Sequence, residues 1–356
     1  MIRSFLGNFR LLPDSKMPPW AKTLSDLLLD FDSQEQWYGN GSYPYIDSDA
    51  PIPFEELLIP FVEAGMKKLR YELDNTPRNI QFFSRAPAQH LLRCLCDLFS
   101  QTLMLKFSVY RAIRASKSNS AQGSQKENTL YGKFIQKMLS ADSMMILFKE
   151  YPVLAKMAAI TIEQWVEANV ETLTRLENDY IDLEKLFSSD KGLGDIETIM
   201  PAGDSHNSGR MVQLIKFSSG IKLVYKPKPL GIEESFNDLL AWLNRQGLDL
   251  EFKVISVLNR IDYGWVEFVE KVPCSSLSEA SRYYQRSGML LSLLHILGAT
   301  DCHHENLIAH GEHPILVDTE TLIYPLRRMT ENQESNKFID PAGEKIKRSV
   351  VRTGLL

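Results

Sequence analysis

Cysteine is scarce. Four residues, at 94, 96, 274 and 302, are too few and too scattered in 356 to staple a secreted disulfide scaffold. Long apolar runs are missing as well: no stretch approaches the roughly 18 residues that a membrane-spanning helix needs. The amino terminus, Met1-Ile2-Arg3-Ser4, meets charge before a signal-like core can form. Positive charge is not in excess, since forty Lys and Arg stand against forty-five Asp and Glu for a net charge of −5. No global field therefore exists to hold nucleic acid or an anionic membrane, and any phosphate must be gripped locally. These absences point to a reducing cytoplasm, with no nucleic-acid partner and no membrane span. What remains is ordinary for a globular chain: 44% hydrophobic and 24% charged residues. The length exceeds one compact core, so two subdomains, or an enzyme lobe with an extension, are expected.

The pattern predicts an α+β protein in three parts. Residues 1–190 read as a mainly helical region, 191–325 as a catalytic core with a small antiparallel sheet, and 326–356 as a tail. In the first part, prolines at 44, 51 and 53 mark an extended connector. Helical spacing of apolar residues follows over 54–69, with Pro60 as a kink or break, and then over 90–113, 131–148 and 153–186. Residues 116–124 form a polar loop, a candidate hinge or nicking site. Cys94 and Cys96 are expected to be buried as small apolar side chains. After Gly192 the period changes. Residues 211–217 and 221–226 alternate around Ser218-Ser219-Gly220 as a hairpin, and Pro227 and Pro229 end its second strand. A helix over 235–243, strands over 252–258 and 264–269, and a long helix over 278–297 follow. Short strands at 307–309 and 314–317 bracket His310-Gly311-Glu312-His313, whose two histidines are expected in a turn. Trp242 and Trp265 are expected in the core.

The chemistry is concentrated in Ala299-Thr300-Asp301-Cys302-His303-His304-Glu305-Asn306, followed by Ile315-Leu316-Val317-Asp318. Asp301 and Asn306 are five apart, the spacing a protein kinase uses between the Asp that meets the acceptor hydroxyl and the Asn that holds magnesium. Asp318 lies twelve beyond Asn306, at the end of an apolar strand, where kinases place a second carboxylate on the metal; Thr319-Glu320 follow it instead of Phe-Gly. Oxygen donors of this kind suit Mg2+. Upstream, Val224-Tyr225-Lys226 ends a strand, as does the kinase lysine that holds ATP phosphates. Residues 203–210, with two glycines, precede the hairpin where kinases carry a phosphate cover, without matching Gly-x-Gly-x-x-Gly. Each piece is common by chance; their order is what points to phosphoryl transfer. The imidazoles at 303, 304, 310 and 313 with Cys302 lack the paired spacing of a zinc finger. The tail holds seven Lys and Arg against four Asp and Glu over 326–352, a solvated loop or, as the lesser reading, a peptide or phosphate contact.

Five blocks in order resemble the dehydratase domain of class II lanthipeptide synthetases. They are Gly203-Asp204-Ser205-His206-Asn207-Ser208-Gly209, Lys222-Leu223-Val224-Tyr225-Lys226-Pro227-Lys228, Tyr263-Gly264-Trp265-Val266-Glu267-Phe268, residues 299–309, and residues 311–322. The resemblance implies an incomplete lipid-kinase-like core that uses ATP and Mg2+ to phosphorylate Ser and Thr of a ribosomal precursor peptide before phosphate elimination to dehydroamino acids. It implies that Lys226 contacts ATP phosphates, Asp301 activates the hydroxyl with His303 in support, and Asn306 and Asp318 bind magnesium. Asp204 and His206 match positions that the family also needs. The precursor's leader is bound apart from its core residues. Members of that family are much longer two-domain enzymes, so the chain is expected to be a truncated or split copy, lacking the elimination and cyclase parts and working with a separate polypeptide that carries them. A small-molecule phosphotransferase and an inactive remnant are the alternative readings.

Overall fold

The computed structural model describes residues 18–33, 45–47, 49–74, 85–115, 124–188, 192–206, 209–323, 345–346 and 348–355. Two compact units divide it, one comprising Met1–Ile181 with Ile196–Gln213 and the other Asp182–Asp195 with Leu214–Leu356. The fold is α+β, as the alternation of helical and strand periods implies. No helix among the described residues is long and apolar enough to cross a membrane. Residues 116–123 of the polar loop and 324–344 of the tail lie outside the described residues.

The first unit is built from α1 (Pro19–Ser33), α2 (Ile59–Asp74), α3 (Arg85–Ala115), α4 (Ser124–Met138), α5 (Ala141–Glu150) and most of α6 (Pro152–Phe187). Its core centres on Phe61, Phe99 and Phe148, with Phe61 packed edge-on against both others at ring separations of 5.4 and 6.1 Å. Pro60 neither kinks nor breaks a helix: a 3-10 turn at Glu55–Leu58 precedes it, and α2 begins at Ile59. In that first turn the missing proline N–H would have had no partner. The helix expected over 131–148 is instead two. Ser140 caps α5 by accepting the Ser143 N–H at 3.3 Å, which stops α4 and starts a new axis. Cys96 is buried, but Cys94 is half-buried and lies 3.4 Å from His90 Nε2. Strand β1 (Ile196–His206) packs with α3 in this unit, and the first residues of β2 (Arg210–Phe217) belong to it too.

The second unit holds the rest of β2, β3 (Lys222–Lys226), α7 (Gly231–Arg245), β4 (Val257–Asn259), β5 (Gly264–Glu267), α8 (Leu277–Ile296), and the hairpin of β6 (Leu307–His310) and β7 (His313–Leu316). The sheet order is β1-β2-β3-β5-β4, with β6-β7 as a separate pair. The hairpin expected around Gly220 is present, and Gly220 takes the left-handed φ of 88° that its turn requires. The strand expected over 252–258 is only its last part, because the Asn244 side chain binds both backbone groups of Phe252 and the Asn237 side chain accepts the Ile255 N–H, so side chains replace a ladder there. His310 and His313 stand at the two ends of the Gly311-Glu312 turn and face each other as the last ladder pair of β6 and β7. Trp265 is fully buried, whereas Trp242, on the outer face of α7, is 50% exposed and not core. One apolar cluster joins Phe236 and Leu240 of α7 to Leu290 and Leu294 of α8 and to Ala299, Cys302 and Leu316; another joins Leu230, Ile255, Val266 and Ile315. Burial of this size, at about 25 cal/mol per Å2, is what holds α7, α8 and β7 around the polar residues described next.

Candidate active site

Lys226 is the last residue of β3, and its register partner on β5 is Gly264. A β-carbon on Gly264 would lie 2.4 Å from Leu230 Cδ1 and 2.7 Å from the Leu258 carbonyl, so only glycine lets the chain close at this point. The Lys226 ammonium then points inward. It donates to Glu233 Oε1 at 2.5 Å and to the Val317 carbonyl at 2.6 Å, and the side chains of Lys226 and Glu233 are only 9% and 3% exposed. A charge so deeply placed needs both an opposite charge and filled hydrogen bonds, and it has them.

Asp301 is exposed on a short loop whose neighbours are anchored. Gly298, with φ 71°, stops α8, and Ala299 and Cys302 are buried in the apolar cluster. Asp301 itself has φ 60°, a left-handed backbone that costs a non-glycine residue energy and is tolerated best by Asp and Asn. Several bonds hold it there. Asn306 Nδ2 donates to the Asp301 carbonyl at 2.8 Å, and the Cys302 N–H donates to the Thr353 carbonyl at 2.7 Å. His303 accepts the Glu305 N–H at Nδ1 (3.3 Å), which leaves the proton on Nε2, 3.1 Å from Asp301 Oδ1. The imidazole thus orients the carboxylate.

The Val317 N–H donates to the Asn306 carbonyl at 2.9 Å, so one residue ties the Asp301 loop to the segment that Lys226 grips. Asp318 comes next in the chain. Its Oδ1 accepts the Glu320 N–H at 3.1 Å and lies 3.3 Å from Lys228 Nζ, which also binds the Glu320 carboxylate. Burial lowers the proton affinity of Lys228, but Glu320, Asp318 and Glu233 more than offset this and hold its ammonium above the ordinary lysine value. Burial, followed by the charges of Asp301 and Asp318, pushes the Cys302 thiol up to about 11.

The structure therefore brings Lys226, Asp301, His303, Asn306 and Asp318 into one neighbourhood. Asp204 and His206 lie at the end of β1, in the other unit, and their side chains are outside the described residues. Among the described residues no group of three or more His, Cys, Asp and Glu could hold a metal ion. Asn306 Oδ1 and the Asp318 carboxylate are two oxygen donors of the type that Mg2+ accepts. Mg2+ takes one or two protein oxygens and fills the rest of its shell with water and phosphate. Sequence reasoning missed Glu233, Lys228, Glu320 and Thr353. The first three carried a faint signal, as charges in a helix first turn or two residues from a candidate; Thr353, fully buried, carried none.

The model of the family described as Domain of unknown function (DUF4135) matches residues 151–356. The lacticin 481/lactococcin biosynthesis protein LcnDR2 of Lactococcus lactis subsp. lactis is 36% identical to the chain over 170 residues, 45% of this chain. The match spans only 18% of that relative's length. Both findings agree with the resemblance to class II lanthipeptide synthetases seen in the motif blocks.

Proposed function

Because the chain belongs to the DUF4135 family, we propose that it carries the phosphorylating portion of a lanthipeptide dehydratase, acting on Ser and Thr hydroxyls of a ribosomal precursor peptide. The observation that carries this reading is the buried Lys226 ammonium, paired with Glu233 and bonded to the residue before Asp318, in the manner of the lysine and glutamate pair of protein kinases. When bound, ATP with Mg2+ supplies the phosphoryl group and neutralises its developing charge. Asn306 Oδ1 and the Asp318 carboxylate would hold the metal, and Lys226 would steady the phosphate-binding segment. Asp301 would take the proton of the substrate hydroxyl, and His303 would hold that carboxylate in line. We further propose that Asp204 and His206 are needed for activity, as the resemblance implies. The precursor's leader would bind away from its reacting residues, raising their effective concentration at the site. The cytoplasm is the proposed compartment.

The test is mass spectrometry of a Ser/Thr-containing precursor peptide incubated with the purified chain, ATP and Mg2+. Addition of phosphate that disappears in Asp301→Asn supports the reading. Equal yield from the variant would refute it, and phosphate found on small hydroxyl metabolites but never on the peptide would favour a small-molecule phosphotransferase.

A further inference from the structure

Two lysines, not one, reach the segment that carries Asp318. Lys226 donates to the Val317 carbonyl, while Lys228 lies 3.3 Å from Asp318 Oδ1 and binds Glu320. Residues i and i+2 of an extended chain share a face, and prolines at 227 and 229 keep this stretch extended. The two ammonium groups are not equivalent. Lys226 is enclosed and satisfied by a buried carboxylate, whereas the Lys228 side chain is 27% exposed and its partner Glu320 is 61% exposed. Ion pairs of that exposure are weak and cheaply exchanged. Lys228 also lies 3.3 Å from one oxygen of the carboxylate that would take a divalent cation, and a metal there would repel the ammonium.

We infer that Lys228 is a second phosphate-binding lysine of this site, one that holds Asp318 until a metal takes that carboxylate and then turns to the nucleotide's phosphates. The inference rests on the kinase-like reading above. The Lys228 side chain is partly exposed and tethered two residues from Lys226, so once displaced it stays beside the same segment. Lys226, by contrast, acts mainly through Glu233 and Val317.

Two probes test this on the full chain: Mn2+ alone, followed by electron paramagnetic resonance, and a fluorescent non-hydrolysable ATP analogue with Mg2+. In Lys228→Gln, Mn2+ should bind several-fold more tightly because its competitor is gone, while the ATP analogue should bind about tenfold more weakly through loss of a charge-assisted hydrogen bond. Lys228→Arg should recover most of the nucleotide affinity. A misfolded variant cannot bind Mn2+ more tightly, so that arm also guards against a failed fold. If the wild-type chain binds both probes and Lys228→Gln binds them equally well, the inference is overturned and the kinase-like reading stands. If the wild-type chain binds neither, both are overturned together.

Discussion

Lys226 Nζ lies 2.6 Å from the carbonyl oxygen of Val317, a residue 91 positions away. The Val317 N–H in turn donates to the Asn306 carbonyl at 2.9 Å. A single residue thereby links the end of β3, the loop bearing Asp301 and Asn306, and the strand end at Asp318. The proposed phosphoryl transfer would depend on positioning more than on covalent chemistry, and this link is where small errors would cost it most.

Removing that ammonium should cost stability as well as activity. Lys226→Met leaves the Glu233 carboxylate buried without its charge partner, and a loss of about 3–5 kcal/mol in urea unfolding is expected. The double variant Lys226→Met with Glu233→Leu should recover much of that loss. Equal instability of single and double variants would show that the pair is not what the buried site depends on.

Position 301 separates charge from backbone. Asp301→Asn should fold with unchanged stability, since Asn accepts the left-handed φ of 60°, yet give no phosphopeptide. Asp301→Val places a β-branched residue there and should lose about 1–3 kcal/mol in the same unfolding assay. Comparable stability of the two variants would argue against a strained loop.

Gly264→Ala would push a methyl group into Leu230 and the Leu258 carbonyl, at 2.4 and 2.7 Å. Overpacking of this kind costs about 1–3 kcal/mol, and it acts at the residue facing Lys226 in the ladder. Thermal unfolding should show the loss, and nucleotide affinity should fall with it.

Acid should weaken the second unit through His313. Burial, then the neighbouring Arg286, keeps this imidazole below its ordinary pKa against the opposing pull of Glu312, and its Nδ1 has no hydrogen-bond partner among the described residues. The folded state therefore binds fewer protons than the unfolded one, so stability is fully present above the ordinary value of about 6.5 and falls as pH drops toward the depressed one. Urea midpoints at pH 5.5 and 7.5 should differ less in His313→Gln than in the wild-type chain. An identical difference in both would assign the acid sensitivity elsewhere.

Much of the second unit was legible because its signals are local. The alternation around Gly220 marks a hairpin, and the apolar spacing after Ser276 marks α8, whose Ser276 Oγ accepts the Glu279 N–H. Asp301, Asn306 and Asp318 were legible by spacing, because a loop between an anchored helix end and a strand has few ways to present its polar residues. Trp242 and the broken helix at Ser140 were misread for a shared reason. Hydrophobicity along a helix does not say whether another element covers that face, and a serine between two apolar turns reads equally well as a polar face or a cap.

By itself the sequence determined the α+β alternation, the kinase-like order of Lys226, Asp301, Asn306 and Asp318, and the family to which the chain belongs. Those properties reside in local periodicity and in the order of residue types. Only the tertiary structure decided that Glu233 neutralises Lys226, that Lys228 pairs with Asp318, and that Thr353 braces the loop of Asp301. Such partners are chosen by burial and by distance through space, and one-dimensional spacing carries neither.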